Sequence, residues 1–292
     1  MNLTQFNLWI AEIRDDRRRG ASELARRGLE LLAEAARTLP AADAMELRER
    51  LLELVAELSM ARPSMAPIQN LLRCWREGLT PPAVPNLLSI TRRLAAERAE
   101  ALIAASRRAV TDCAAHAARL LGPGRTVMTH SLSSTVVAVC RQLKDAGLRM
   151  IVTESRPLGE GRQLAERLSA WNVPTTYITD AQMGLFVAQA DAVLVGADSV
   201  LADGAVVNKA GTYPLALAAR DRGVPFYVCC ESFKWRAPDD PPPELEEMAP
   251  AELGMPDWPG VTVRNVYFDL TPARLVSAWI DETGVRWPDA GP

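Results

Sequence analysis

Lysine is nearly missing from this chain of 292 residues. Lys144, Lys209 and Lys234 are its only lysines among 33 basic side chains. Long apolar runs are missing too: none reaches the ~18 residues that a membrane helix needs. The first nineteen residues are polar and charged, without the apolar centre of a secretory signal. The expectation is a cytoplasmic protein with no membrane partner. Cysteine is sparse and irregular (Cys74, Cys113, Cys140, Cys229, Cys230), an odd number that gives neither a disulfide framework nor a zinc pattern. Histidine occurs twice, and no metal site or organic cofactor is indicated. Aromatics make up 5% of the chain, no basic stripe is interleaved with them, and the net charge is −3, which argues against nucleic acid as a partner.

What is there is apolar and arginine-rich. Hydrophobic residues make up 48% of the sequence, enough at this length to bury a core without disulfide support. Where arginine has taken almost every basic position, a lysine that persists is a candidate functional group. A compact ammonium is not always replaceable by a planar guanidinium. Leftover surface lysines are the alternative reading.

Two halves of different character follow one another. Up to residue 122 the apolar residues recur at helical spacing, as in Leu24, Leu31, Leu32 and Ala35 or Leu47, Leu51, Leu54, Val55 and Leu58. Pro40, Pro63, Pro67 and the Pro81–Pro82 pair punctuate this run. An Ala- and Arg-rich stretch from about Asn86 to Leu121 reads as one long helix ending at Gly122-Pro123-Gly124. From residue 123 short β-rich runs alternate with amphipathic helices. The runs are Thr126–Thr129, Met150–Thr153, Thr175–Ile178, Ala192–Val195 and Phe226–Cys230, with a further one at Val263–Phe268. That alternation predicts a parallel sheet with helices on both faces. The expected fold is therefore α/β: an all-helical domain over 1–122, then a Rossmann-like domain over 123–292. The proline-rich segment Ala237–Pro259 reads as an irregular loop.

In such sheets ligands collect at the carboxyl ends of the strands, and four polar clusters fall there. Thr129, His130, Ser131, Ser133 and Ser134 lead from the first strand into a helix, either as an anion site or as helix caps. Glu154-Ser155-Arg156-Pro157, with Gly159, Gly161 and Arg162, follows the second strand as a phosphate holder or an ion-paired turn. The densest string runs from Gly196 to Thr212. Within it Asp198 ends an apolar strand, where partial desolvation suits a general acid. Asp203-Gly204 makes a tight turn, and Asn208 and Lys209 are expected to open the next helix beside free N–H groups. Glu231-Ser232-Phe233-Lys234 ends the fifth strand, and two ammonium groups at one sheet edge suit a phosphorylated small molecule. In the helical half Arg19-Gly20-Ala21 stands at a helix start and Arg62-Pro63-Ser64 follows another helix. If both fold over the sheet edge, the site lies between the domains.

Together these strings resemble the family that unites the regulatory subunits of initiation factor 2B with methylthioribose-1-phosphate isomerase and archaeal ribose-1,5-bisphosphate isomerase. The motifs lie nearest to the last of these and the related factor branch. The strings that carry the resemblance are Arg19-Gly20-Ala21, Arg62-Pro63, Thr129-His130-Ser131, Glu154 to Pro157, Gly196-Ala197-Asp198, Asp203-Gly204, Asn208-Lys209, Gly211-Thr212 and Asn265 to Asp269. The resemblance implies an aldose–ketose isomerase of a ribose 1-phosphate or 1,5-bisphosphate. Asp198 would be the acid, and Arg19, Gly20, Ala21, Arg62, Ser133, Ser134, Asn208, Lys209 and Lys234 would hold phosphate. It also implies a homodimer or a dimer-built hexamer. At the place of the isomerases' catalytic cysteine this chain has Ser131, whose hydroxyl is a far poorer anion than a thiol. The alternative is a non-catalytic regulatory subunit that senses sugar phosphates or nucleotides.

Overall fold

The computed structural model describes residues 3–79, 88–240, 243–256 and 258–288. The chain divides into two compact units, residues 1–108 and 109–292. The first holds helices α1 (Leu3–Arg14), α2 (Ala21–Thr38), α3 (Ala44–Met60), α4 (Ala66–Glu77) and most of α5 (Leu88–Leu121), whose last turns belong to the second unit. The expected helix start near Asn86 and the Pro81–Pro82 break lie outside the described residues.

Helices α2 to α4 form because each carries an apolar stripe at a period of 3.6. In α2 that stripe buries Leu24, Leu31 and Leu32, and in α3 it buries Leu47, Leu51, Leu54 and Leu58. Trp75 is fully buried and donates its indole N–H to the Ala95 carbonyl at 3.0 Å, fixing α4 against the start of α5. Small side chains at Ala95, Ala96 and Ala99 are buried in α5, so the alanine content read from the sequence serves close helix packing. Helix α3 starts at Asp43, whose carboxylate accepts from the N–H groups of Met45 (2.8 Å) and Glu46 (2.9 Å).

The second unit is a seven-stranded sheet. Its strands are β1 (Thr126–Thr129), β2 (Arg149–Thr153), β3 (Thr175–Ile178), β4 (Ala192–Val195), β7 (Phe226–Cys229), β9 (Ala278–Asp281) and β10 (Gly284–Arg286), in the order β10-β9-β7-β4-β1-β2-β3. All are parallel except the edge strand β10. Side chains alternate between two cores. Met128, Ile151, Val193, Phe226 and Val228 face one, with Leu215 and Ala216 of α9 (Thr212–Asp221). Val127, Met150, Val152 and Leu194 face the other, with Val136 of α6 (Ser134–Leu143), Leu164 of α7 (Glu160–Ala170) and the end of α5. The short helix α8 (Met183–Phe186) follows β3.

A second, antiparallel sheet of β5 (Ser199–Val200), β6 (Val206–Lys209) and β8 (Phe268–Thr271) was not expected. It corrects two readings. Asn208 and Lys209 do not open a helix but end strand β6, and α9 begins at Thr212. The late strand lies at Phe268–Thr271, because Phe268 to Thr271 pair with Lys209 to Val206. Among the described residues no helix is long and apolar enough to cross a membrane.

Replacing the α3 cap by Asp43→Ala should cost about 1 kcal/mol of stability, read as a lower urea midpoint with an unchanged slope.

Candidate active site at the sheet edge

The chain builds outward from β1 through β2 to β3, then returns to place β4 on the other side of β1. The switch therefore lies between β1 and β4, where open α/β sheets bind ligands. The loop carrying Ser131, Ser133 and Ser134 leaves β1 on one side of it, and the loop carrying Asp198 leaves β4 on the other. The two loops touch: a Cβ added at Gly196 would fall 2.3 Å from the Ser133 hydroxyl, so only glycine admits this approach. Ser133 holds the N-cap position of α6 but makes no capping bond. Its hydroxyl pairs instead with that of Thr135 at 2.8 Å, and Thr135 donates to the Cys229 carbonyl at 2.7 Å.

Asp198 is half-buried, and its N–H donates to the Val207 carbonyl at 2.9 Å. Ser199 pairs with Val207 in the antiparallel ladder, so Asp198 and Ser199 both meet Val207 at the start of β5. Lys234 reaches the same loop from a 3₁₀ turn at Ser232–Lys234. Its buried ammonium donates to the carbonyl of Ala197, the residue before Asp198. Glu231 is buried two places after β7, with Oε2 lacking a hydrogen-bond partner among the described residues. Thus the second unit brings Asp198 and Lys234 to one loop through a single ammonium contact.

Lys209 is held differently. It is 5% exposed, its ammonium lies 2.7 Å from Glu160 Oε1, and the Tyr267 ring centroid is 4.3 Å away. The N–H groups at the start of α9 are not open either. Asp269 Oδ2 accepts from Gly211 at 2.7 Å and from Tyr213 at 3.0 Å. Burial outweighs these bonds and pushes the Asp269 carboxyl up from the ordinary 3.8 to about 6. Asn208 donates to the Thr212 hydroxyl at 3.0 Å, which itself donates to the Lys209 carbonyl at 2.6 Å.

His130 ties these loops together. Its Nε2 lies 2.9 Å from the Ala210 carbonyl, an acceptor only, so Nε2 carries the proton. Nδ1 then accepts from the Thr153 hydroxyl at 2.7 Å. Burial lowers the imidazole pKa and keeps it neutral. Gly211, at φ +112°, has no room for a side chain, since a Cβ there would lie 2.7 Å from His130 Nε2. Ser131 has a left-handed backbone (φ 68°) and donates its N–H to the Ser155 hydroxyl at 2.7 Å. Ser155 is left-handed too (φ 61°), and Asp180 accepts from the N–H groups of Ser155 and Arg156, each at 2.8 Å. Two adjacent loops held in this sparsely populated region mark a place where position outweighs ease of folding.

Burial raises the thiol pKa of both Cys229 and Cys230, so neither offers a ready thiolate in place of the missing cysteine. In the first unit Gly20 is the N-cap of α2, Ala21 begins that helix, and Asp16 gathers the arginines. The Arg19 guanidinium lies 3.6 Å from the Asp16 carboxylate and 3.2 Å from Glu12, and buried Arg62 donates to the Asp16 carbonyl at 3.1 Å.

The family model for the initiation factor 2 subunit family matches residues 17–288. The chain belongs to this family. A Pyrococcus abyssi relative named putative translation initiation factor eIF-2B subunit 2-like is 38% identical over 281 residues, covering 96% of this chain and 95% of that one. A Haloferax volcanii relative named ribose 1,5-bisphosphate isomerase is 32% identical over 285 residues, covering 93% and 85%. The crystal structure of the Pyrococcus horikoshii translation initiation factor eIF-2B superposes with a TM-score of 0.84 at 36% identity, covering 98% of both chains. This member of the family therefore has relatives named as sugar-phosphate isomerases and relatives named as factor subunits.

Sequence reasoning left three site residues without a role. Asp269 stood in a quoted motif, Tyr267 beside it, and Glu160 between the two singled-out glycines; their partners are 56, 58 and 49 positions away.

Because folding raises the Asp269 pKa, the stability tied to this group is complete below pH 4 and is lost as pH rises through about 6. In urea unfolding the wild type should lose about 2 kcal/mol relative to Asp269→Asn between pH 4 and pH 7.5. A constant difference would show that the buried carboxyl does not titrate there.

Proposed function

We propose that this protein binds a phosphorylated pentose at the carboxyl edge of its sheet and interconverts the aldose and ketose forms. The observation that carries the reading is the Asp198 loop at the β1/β4 switch, with the Lys234 ammonium on the carbonyl of the preceding residue. The named ribose 1,5-bisphosphate isomerase relative supports the same substrate class. For a ribose 1-phosphate or 1,5-bisphosphate the bond between C1 and the ring oxygen breaks, and hydrogen moves from C2 to C1. The ring oxygen takes a proton and the 2-hydroxyl gives one up, so the reaction closes without a redox partner. Asp198 is the group that donates to the ring oxygen. Ser131, on its constrained loop, positions a water or the 2-hydroxyl rather than acting as an anion. Ser133, Ser134, Asn208, Lys209 and Lys234 face the phosphates in this reading. Pairing of two chains through the Rossmann-like unit belongs to the same proposal and rests on family membership.

Ser131 itself favours a second reading, a regulatory subunit that binds the same ligand class without converting it. The factor-named relative at 38% identity agrees with it.

NMR with ribose 1,5-bisphosphate, methylthioribose 1-phosphate and AMP separates the two readings by showing binding and conversion independently. Asp198→Asn should abolish conversion and leave binding within about twofold; equal turnover would remove Asp198 from the reaction. Ser131→Cys should raise turnover by about 10²-fold or more, the usual effect of one general catalyst. No conversion by either the wild type or Ser131→Cys, with binding intact, would leave the regulatory reading.

A further inference from the structure

Lys209 and Glu160 form an ion pair in which both side chains are largely enclosed, 6% and 15% exposed. Glu160 is the first residue of α7, where the helix dipole favours a negative charge. Oε1 meets the Lys209 ammonium, whereas Oε2 is buried without a hydrogen-bond partner among the described residues. A carboxylate built for stability has both oxygens satisfied, because a buried acceptor left unpaired is costly. Here one ionic contact holds the group. The Tyr267 ring closes another side of the same ammonium and offers it no anion. A second anion arriving at Lys209 would meet the carboxylate at close range in a medium of low effective dielectric, where like charges repel strongly.

We propose that Glu160 is an internal counter-ion of the ligand-binding lysine, which an incoming phosphate displaces from Lys209. It deepens the sugar-phosphate reading given above and rests on the part of that reading that places Lys209 among the phosphate ligands. The consequence is selectivity by charge. A phosphate monoester carries close to two negative charges at neutral pH and outcompetes a carboxylate for the ammonium. Singly charged ligands, such as phosphodiesters and carboxylic acids, gain too little to break the pair. Specificity here comes from a repulsive element already in place as much as from attraction.

Calorimetry on the full chain at pH 7.5, with inorganic phosphate and with ribose 1,5-bisphosphate, tests this. Glu160→Gln should bind both roughly tenfold tighter than the wild type or more, as expected for a close charge pair. It should also begin to bind dimethyl phosphate, which the wild type ignores. Adding Lys209→Met should remove the whole gain. Equal or weaker binding of both phosphates by Glu160→Gln, or a gain that survives Lys209→Met, overturns the inference. If Glu160→Gln does not fold, carbon-13 glutamate spectra of the wild type decide. The Glu160 carboxyl resonance should move on adding phosphate, and an unmoved resonance overturns the inference. A gain for inorganic phosphate without any binding of the sugar bisphosphate keeps the counter-ion and removes the sugar-phosphate function.

Discussion

A neutral imidazole holds the candidate site in shape. His130 is hydrogen-bonded at both ring nitrogens, to the Ala210 carbonyl beyond β6 and to the Thr153 hydroxyl at the end of β2. Three loops from different strands are thereby fixed by one buried side chain. The bond to the Ala210 carbonyl would not survive a change of tautomer, and burial disfavours a second proton on the ring. The left-handed backbone at Ser131, the residue that follows, is tolerable because its neighbour cannot move. Gly211 belongs to the same constraint, since any side chain there would press on the ring.

Around this anchor several charged groups each meet a partner drawn from a distant part of the chain. Asp269 closes the start of α9, Glu160 closes Lys209, and Ala197 receives Lys234. The edge of the sheet is thus not an open nest of free donors. It is a set of paired groups, some of which a ligand has to separate. An anion that binds here exchanges one set of ionic contacts for another, and its net affinity is the difference between the two.

Much of this was legible in the residues. Alternating strand and helix patterns gave β1 to β4 and β7 nearly to the residue, because β1, β2, β4 and β7 are short, mostly buried apolar runs bounded by turn residues and the exposed edge strand β3 is rich in β-branched and aromatic residues. The helical unit was legible from its period. The antiparallel sheet of β5, β6 and β8 was not. Val206 to Lys209 is too short to show alternation, and its pairing partner Phe268 to Thr271 lies some sixty positions on. Asn208-Lys209 next to Gly211-Thr212 suggested a helix start, and the helix does begin there, but only after the strand has ended. Glu160 escaped notice because a lone acid beside glycines has no periodicity, and its meaning comes from a lysine on another element.

The scarcity of lysine has a practical side. Lys209 and Lys234 are enclosed, whereas Lys144, paired with the exposed Asp145, has a side chain 36% open to solvent. Among its side chains the folded molecule therefore presents a single reachable primary amine. Amine-directed coupling would graft a dye or a surface at that one point, at the C-terminal end of α6, and would leave the two enclosed lysines chemically untouched.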